Sequence, residues 1–206
     1  MKVALCIPAR DQVHTAFARS LALITSNLTK NNVDFSIHIV LGSVIAQSRN
    51  AIVDEVLETD ADYLLWLDSD MHIPATIFER LAVHNKDITA CTYSTRYKPY
   101  KNVAFVNEEN INLRLTAEFG LHKVWAVGMG CMLVKKDVYA NLPKPYYNHT
   151  YNEEDNTFSG EDIWFCKLAN DHNYEIFVDV DVSKNVAHLG TKAFGFITWM
   201  YLINLE

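Results

Sequence analysis

The chain has 206 residues, half of them apolar, which fits one folded domain whose core is large enough to need no disulfide bonds. The formal net charge is −7 and no basic stripe runs along the chain, which argues against a nucleic-acid-binding protein. The four cysteines are well separated and form no C-x-x-C pair, so we expect reduced thiols in a cytoplasmic protein, and no apolar stretch reaches the length of a membrane span.

The first half of the chain alternates between strand-like and helix-like patterns. Short apolar runs predict strands, and apolar residues three and four positions apart predict helices. In chain order we predict a strand at Lys2–Ile7 that ends at Pro8, a helix at Thr15–Lys30, a strand at Asp34–Leu41, a helix at Val44–Leu57, a strand at Tyr63–Leu67, a helix from Pro74 to His84 and a strand at Ile88–Tyr93. This order is typical of a parallel sheet with helices on both faces, that is, of an α/β fold.

The second half of the chain shows shorter and more varied elements. We predict strands at Val103–Val106, Leu113–Ala117, Lys123–Ala126 and Cys131–Val134, a helix at Ser159–Asp171, a strand at Glu175–Val180 and a closing helix over Ala193–Leu205. No internal repeat or linker interrupts the chain, so residues 1–206 are predicted to form one domain.

Two acids one residue apart follow the apolar run at Tyr63–Leu67. Side chains alternate along an extended chain, so Asp68 and Asp70 point the same way. Facing carboxylates repel each other unless a cation lies between them, and their hard oxygen atoms suit Mg²⁺ or Mn²⁺, ions that in turn suit diphosphates. Because α/β sheets bind ligands at the carboxyl ends of their strands, the pair predicts a metal–diphosphate site; the alternative is a solvated turn.

A second acid pair, Glu161 and Asp162, opens the predicted helix after Gly160. The alternative is a capping box, in which Ser159 caps the helix and Asp162 completes the box three residues later. A capping box does not need the glycine, which permits a ligand to approach closely. A carboxylate at a helix start inside a cleft can take a proton from a hydroxyl group, so we predict a catalytic role for this pair.

Three basic or imidazole side chains stand where ligands could reach them. His188 follows the last predicted strand and could add an imidazole ligand to the same metal, although a lone histidine is more often structural. Arg10, after Pro8 and Ala9, and Arg49 suit a phosphate because guanidinium forks match it, with an ordinary surface arginine as the equal alternative. Neither G-x-G-x-x-G nor a P-loop occurs, which argues against an NAD-binding protein and an ATPase.

Two further segments carry weaker patterns. Arg96, Lys98 and Lys101 lie on a polar loop that could close over a diphosphate or simply be solvated. Gly128 and Gly130 permit backbone contact with a ligand, or form a bulge before the next strand.

Together these residues resemble the GT-A class of nucleotide-sugar glycosyltransferases, in a family 2-like form similar to compact enzymes of large viruses and phages. The features that carry the resemblance, in order over nearly the whole chain, are Pro8-Ala9-Arg10, the D-x-D at Asp68–Asp70, Gly160-Glu161-Asp162 and His188. The resemblance implies a mostly parallel central sheet flanked by helices, with a smaller mixed sheet in the second half. Residues 1–100 would then form a nucleotide-binding half and residues 101–206 an acceptor-binding half.

The resemblance also implies an activity, namely hexosyl transfer from a nucleoside-diphosphate sugar, most often a UDP-sugar, to a hydroxyl of a glycan or other acceptor with Mn²⁺ or Mg²⁺. Asp70 and His188 would bind the metal, and Asp68 would hold the metal or the ribose. In an inverting reaction Asp162 would be the base, with Glu161 positioning the acceptor; the fold also hosts retaining enzymes, and that alternative stays open. Nucleotide contacts would come from Pro8, Ala9, Arg10, Arg49, Asp68 and Ser69.

One departure from the family pattern concerns the acceptor. Some families carry a tryptophan just ahead of the glycine, where it stacks on sugar, and this chain has none there; Trp164 or Trp125 could serve instead.

Two alternatives remain open. A haloacid-dehalogenase-like phosphatase also uses a D-x-D with Mg²⁺ at a strand end, but its first acid is a nucleophile that usually follows the first strand. A non-catalytic nucleotide-sugar-binding module would bind the donor without turning it over. The expected location is the cytoplasm, or the host cytoplasm for a viral protein.

Overall fold

The computed structural model describes residues 1–108, 119–153, 156–190 and 193–195. Its elements, in chain order, are β1 (Lys2–Ala9), α1 (Thr15–Lys30), β2 (Asp34–Leu41), α2 (Ile45–Leu57), β3 (Tyr63–Leu67), β4 (Met71–His72), α3 (Ile77–Ala82), β5 (Ile88–Ala90), β6 (Ala104–Phe105), β7 (Leu121–Val124), β8 (Ala126–Val127), β9 (Cys131–Lys135), α4 (Lys136–Asn141), β10 (Tyr151–Asn152), β11 (Thr157–Phe158), α5 (Glu161–Asp171), β12 (Ile176–Asp179), α6 (Val180–Ser183), β13 (Ala187–Leu189) and β14 (Ala193–Gly195).

A seven-stranded sheet forms the centre of the fold, in the order β2-β1-β3-β9-β5-β12-β7. β1 runs parallel to β2 and β3, and β12 runs parallel to β5. β9 is antiparallel to both of its neighbours, and β7 is antiparallel to β12. Five of the seven strands therefore point the same way, and the prediction of a mostly parallel α/β sheet is confirmed.

Both faces of the central strands are covered, which is why β1, β3 and β9 read as nearly continuous apolar runs. Alternate residues of β1 enter different layers of the core, with Leu5 on one side and Cys6 on the other. The first layer lies under α1 and α3, and the second lies under α2, α4 and α5. The loops at the carboxyl ends of the parallel strands are thus held between two packed layers.

The two long helices of the first half begin and end close to the predicted residues. α1 has the predicted bounds and buries Phe17, Ile24 and Leu28. α2 begins one residue later than predicted. The third helix is shorter than predicted, because Pro74 lies in a turn whose carbonyl accepts from the Ile77 amide, and the helix starts only there.

The first strand does not end at Pro8, as the sequence had suggested, but continues to Ala9. Pairing with β3 stops at Cys6, whereas pairing with β2 continues to Ala9. Beyond Cys6 the strand has a partner on one side only, so the missing amide of Pro8 interrupts no bond to β3.

The second half corrects several predictions. β9, β12 and β7 join the central sheet instead of a separate smaller one, and the remaining short strands form the groups β10-β11, β6-β8 and β14-β13-β4. The predicted strand at Leu113–Ala117 lies outside the described residues. The fourth strand, predicted to reach Tyr93, ends at Ala90.

The predicted closing helix is wrong at its start. Ala193–Gly195 forms a strand that pairs antiparallel with β13, and the later residues of that prediction lie outside the described part of the chain. β13 already pairs with β4 on its other side, so it offered an edge that an apolar segment could join.

Within the described ranges, no helix combines the length and the apolar character needed to cross a membrane. All four cysteines are buried, free thiols.

Candidate functional site

A cavity of about 550 Å³ opens where β1 and β3 end. This is the edge at which α/β sheets bind ligands. The ten residues to which the resemblance assigned catalysis, nucleotide contacts or metal binding all line it: Pro8, Ala9, Arg10, Arg49, Asp68, Ser69, Asp70, Glu161, Asp162 and His188. The fold therefore brings together residues that are up to 180 positions apart, from Pro8 to His188.

Arg49 joins the two acid pairs. Its Nη2 donates to Asp68 Oδ1 at 2.8 Å, and its Nε donates to Glu161 Oε1 at 3.2 Å. The side chain is only 1% exposed. Burial disfavours its charge, but the carboxylates of Asp68 and Glu161 outweigh that effect and raise the pKa of Arg49.

The guanidinium of Arg49 is also enclosed by aromatic rings. Its Cζ lies 5.4 Å from the ring centre of Trp66 and 5.9 Å from that of Tyr147. Its Nη1 is buried and has no hydrogen-bond partner among the described residues. With two of its nitrogens bound to protein carboxylates, Arg49 is placed to position those acids. Its Nη1 is left for the phosphate contact suggested by the sequence, which stays a prediction.

Asp68 closes β3 and faces Arg49. Its amide donates to the Gly130 carbonyl at 3.1 Å, which ties the end of β3 to the start of β9. Burial raises the pKa of Asp68, the charge of Arg49 opposes that rise, and the nearby charge of Asp70 adds to it.

Asp70 lies between Arg96 and His188. Its Oδ2 accepts from Arg96 Nη1 at 2.8 Å and lies 3.2 Å from His188 Nε2. Burial alone would raise its pKa, but the hydrogen bond and charge of His188 and the charge of Arg96 lower the pKa of Asp70 below its ordinary value.

His188 reaches Asp70 because β13 pairs with β4, with His188 opposite Met71. The Leu189 amide also donates to the Asp70 carbonyl at 2.7 Å. Two backbone attachments thus hold the late segment of the chain against the D-x-D turn.

Asp162 lies in the first turn of α5. Its Oδ1 accepts from the Ile163 amide at 2.8 Å. Burial and the charge of neighbouring Glu161 raise the pKa of Asp162 to about 6, against the lowering effect of that amide. A carboxyl group with this pKa can accept a proton near neutral pH.

The capping-box alternative for this acid pair is not formed. The N-cap residue of α5 is Gly160, which has no side chain to accept a capping hydrogen bond. Ser159 Oγ instead accepts from the Thr150 amide at 3.2 Å. A methyl group on Gly160 would collide with the Asp162 carboxylate, so the glycine makes room for the acid itself.

The other glycine pair makes room for a tyrosine. A Cβ on Gly128 or Gly130 would lie 2.7 Å from the Tyr93 hydroxyl, and the Gly130 amide donates to that hydroxyl at 2.9 Å. The Tyr93 ring meets the His188 ring edge-on at 5.4 Å. Both glycines therefore leave room for the Tyr93 hydroxyl beside the cavity, which Tyr93 and Gly128 line.

Sequence reasoning missed some of the lining residues. Tyr93, Thr95 and Tyr97 line the cavity, but nothing in their local pattern distinguishes them from the tail of an apolar strand and a polar loop. Trp164, considered as a sugar platform, donates to the Pro145 carbonyl at 3.2 Å, and neither it nor Trp125 is among the residues lining the cavity.

A divalent cation fits the site with few protein ligands. In the parts of the chain that are described, no group of three or more His, Cys, Asp or Glu residues is arranged to hold a metal. Asp70 and His188 do offer a carboxylate oxygen and an imidazole nitrogen 3.2 Å apart, and mixed donors of this kind suit Mn²⁺. Cations that act on diphosphates often use one or two protein ligands and take the rest from phosphate and water.

Comparison with known sequences gives one family and one curated relative. Residues 24–152 match the model of the family Anp1. A stretch of 133 residues is 24% identical to the mannan polymerase complex subunit MNN9 of Candida albicans, covering 59% of this chain and 36% of that protein. The chain therefore spans little more than a third of the length of this relative.

Comparison with solved structures gives likenesses of fold. A197 from STIV has a TM-score of 0.60 at 18% identity, covering 95% of this chain and 86% of that one. A glycosyltransferase involved in glycosylation of the major capsid of PBCV-1 has a TM-score of 0.37 at 16% identity, covering 68% and 63%. A Drosophila β-1,4-galactosyltransferase 7 variant in complex with manganese, UDP-Gal and xylobiose has a TM-score of 0.48 at 16% identity, covering 98% and 73%. The family match and the likeness to A197 agree with the GT-A type of α/β fold predicted from the sequence.

Proposed function

Because this chain belongs to the Anp1 family and gathers both acid pairs around one cavity, we propose that it is a glycosyltransferase. The observation that carries the proposal is the bridge made by Arg49. It links Asp68, the first acid of the D-x-D, to Glu161, which neighbours the proposed base. The buried guanidinium of Arg49 thus connects Asp68, the proposed donor-binding acid, to Glu161, the proposed acceptor-binding acid.

The proposed donor is a nucleoside-diphosphate sugar. A cavity of about 550 Å³ falls within the range of small-molecule sites. Its wall includes Arg10 and Ser69, and these residues could contact phosphate or ribose. The resemblance noted from the sequence favours UDP, whereas the name of the Candida albicans relative refers to mannan and favours a mannose-bearing donor.

Asp70 and His188 are proposed to hold Mn²⁺ or Mg²⁺. When bound there, such an ion supplies positive charge against the negative charge that grows on the departing diphosphate. The low pKa of Asp70 keeps its carboxylate ionised and ready for that role across the physiological pH range. Arg49 holds Asp68 in place beside it.

Asp162 is proposed as the base that accepts a proton from the acceptor hydroxyl. The hydroxyl oxygen then forms its bond to the anomeric carbon while the bond from that carbon to the diphosphate oxygen breaks. The proton stays on Asp162, and the electron pair leaves with the diphosphate. This single displacement inverts the configuration, and Glu161, held by Arg49, orients the acceptor.

The two alternatives receive less support. In a haloacid-dehalogenase-like phosphatase Asp68 would have to attack phosphorus, yet its Oδ1 is bound by Arg49 and the matching family is Anp1. A non-catalytic binding module would show donor binding without transfer, and the experiment below separates it from an enzyme.

The test is a thermal-shift screen of UDP- and GDP-linked sugars, mannose among them, with and without Mn²⁺, followed by a transfer assay on glycan acceptors. A ligand that binds only the folded chain raises its melting temperature. Asp70→Asn should abolish the Mn²⁺-dependent shift and transfer. Asp87→Asn, which removes an exposed carboxylate paired with Lys135, should leave both unchanged. Donor binding without transfer to any acceptor would contradict the proposal.

We also propose a cytoplasmic location, or the host cytoplasm for a viral protein. The four buried free thiols fit a reducing compartment. Imaging of a fluorescently tagged chain tests this, and an extracellular or luminal signal would contradict it.

A further inference from the structure

Arg96 and Arg49 are both bound to acids of the D-x-D, but in different ways. We propose that Arg96 is a displaceable counter-ion of Asp70, which leaves that carboxylate when a divalent cation binds and moves to the diphosphate of the donor. This inference rests on the proposed function, because it assumes that Asp70 holds the cation.

One carboxylate oxygen is the meeting point of three groups. Asp70 Oδ2 accepts from Arg96 Nη1 at 2.8 Å and lies 3.2 Å from His188 Nε2. The same Arg96 nitrogen donates to the Leu189 carbonyl at 3.3 Å. The guanidinium therefore occupies the position on Asp70 that a cation shared with His188 would need.

Electrostatics makes the two cations mutually exclusive. A divalent ion on Asp70 Oδ2 would lie within a few ångströms of the Arg96 guanidinium, where like charges repel strongly in a partly buried site. Arginine does not give up its proton, so the conflict cannot be relieved by neutralising Arg96. Arg96 must move when the ion binds.

The surroundings of Arg96 permit this movement. Its side chain is 36% exposed and that of Asp70 is 35% exposed, so the pair can separate without opening the core. Arg49, at 1% exposure and with two carboxylate partners, is fixed. Arg49 therefore stays bound to its two carboxylates, whereas Arg96 is free to leave Asp70.

The loop that carries Arg96 is fastened at its base. Ser94 bridges to Asn102, and the Thr95 amide donates to the Lys101 carbonyl at 2.8 Å. Beyond these bonds the tip is exposed, with Tyr97 at 78%. A side chain placed just inside the tip can change partner while the base of the loop stays in register.

The diphosphate of the donor is the group to which the displaced Arg96 guanidinium would move. Arg96 lines the same cavity as Arg10 and Ser69, and the diphosphate is the anion that the proposed donor would bring there. A guanidinium fork matches phosphate oxygens, so the displaced charge gains a partner at the moment it loses one.

The test measures two affinities of Arg96→Gln, which removes the charge and keeps a similar length. Binding of Mn²⁺ alone, followed by calorimetry or by the electron paramagnetic resonance signal of the free ion, should become roughly three- to tenfold tighter, because the competitor is gone. Binding of UDP and of GDP in saturating Mn²⁺ should become about tenfold weaker, because a phosphate partner is lost.

The opposite signs are the signature of displacement, since a merely structural defect would weaken both affinities. Lys123→Gln removes an exposed positive charge that is paired with Glu175 outside the cavity, and it should change neither affinity by more than about twofold. Circular dichroism checks that each variant is folded.

Equal Mn²⁺ affinity in the wild-type chain and in Arg96→Gln overturns the inference, as does weakening of both affinities or a wild-type chain that binds no Mn²⁺. The opposite-sign pattern without any sugar transfer supports the inference and counts against the proposed function. Sugar transfer that needs no divalent ion supports the proposed function and counts against the inference.

Discussion

At the scale of single residues, the buried guanidinium of Arg49 organises the site. Its charge is surrounded by Trp66, Tyr147 and two carboxylates, with almost no contact with water. A buried charge is tolerable only when it is paired, so the fold commits Asp68 and Glu161 to this arginine. The sequence identified Arg49 as a site residue and suggested a phosphate contact. The residues next to it in the sequence do not show that this face of α2 will be buried.

Replacing Arg49 by lysine keeps the charge and removes the fork. Arg49→Lys should lower the free energy of unfolding by about 2–4 kcal/mol, because one ammonium cannot reach both carboxylates at once. Urea denaturation measures this loss. Arg80→Lys, at a half-exposed arginine 3.8 Å from Asp179, should stay within about 0.5 kcal/mol. Equal losses in the two variants would count against the bridge.

Asp162 predicts two pH dependences of opposite direction. A base with a pKa of about 6 must be ionised to accept a proton, so kcat/KM for transfer should fall as the pH drops below 6. Burial raises this pKa above that of the unfolded chain, so the folded state binds the proton more tightly. The contribution of Asp162 to stability is therefore lost as the pH rises through the window from about 4 to 6.

Rate–pH profiles and urea denaturation at several pH values measure these effects. Asp162→Asn should remove the Asp162 contribution from the stability profile and lose transfer, while keeping donor binding. A wild-type rate that is flat between pH 5 and pH 8 would rule out the assignment of Asp162 as the base.

At the scale of elements, the start of α5 shows how a local pattern can be misread. The sequence pattern of a capping box is present at Ser159, Gly160 and Asp162. In the structure, however, Ser159 bonds to Thr150, and the carboxylate of Asp162 lies over Gly160. The pairing of β10 with β11 brings Ser159 back to Thr150, and this pairing is a tertiary event that a four-residue pattern does not contain.

Gly160→Ala tests the purpose of that glycine. The backbone of Gly160 is extended, with φ of −66°, so alanine fits it, but the added methyl group would push the Asp162 carboxylate aside. We expect transfer to fall at least about tenfold with a change in unfolding free energy below about 1 kcal/mol. Ser159→Ala disturbs the same segment without touching Asp162 and should retain most of the activity. A fully active Gly160→Ala enzyme would contradict the proposed role of Asp162.

At the scale of the whole molecule, the insertion of β9 decides the topology. This strand comes from the second half of the chain, yet it lies between β3 and β5 of the first half. Its amide hydrogen-bonding groups face strands on both sides, whereas β2 stands at an edge with β1 as its neighbour in the central sheet. The insertion also brings the Gly130 carbonyl within hydrogen-bonding distance of the Asp68 amide.

Hydrogen exchange followed by mass spectrometry tests this arrangement. Amides of Cys131–Lys135 should exchange at least about a hundredfold more slowly than those of Asp34–Leu41, because a strand bonded on both sides opens only with the sheet. Helix α2, whose inner face is buried, provides an internal reference for slow exchange. Equal rates for the two strands would contradict the central position of β9.

The sequence by itself determined the α/β class, the main first-half elements and the charged residues that line the cavity. These features depend on local periodicity and on strand ends, which can be recognised from residues close together in the sequence. Phe17, Ile24 and Leu28 indicate α1, and the apolar run before Asp68 indicates β3. Only the tertiary structure decided the place of β9, the strand at Ala193–Gly195, the burial of Arg49 and the pairing of Arg96 with Asp70. Those outcomes depend on which distant segments compete for the same sheet edge or the same charge, and that competition is settled by packing and electrostatics across the whole chain.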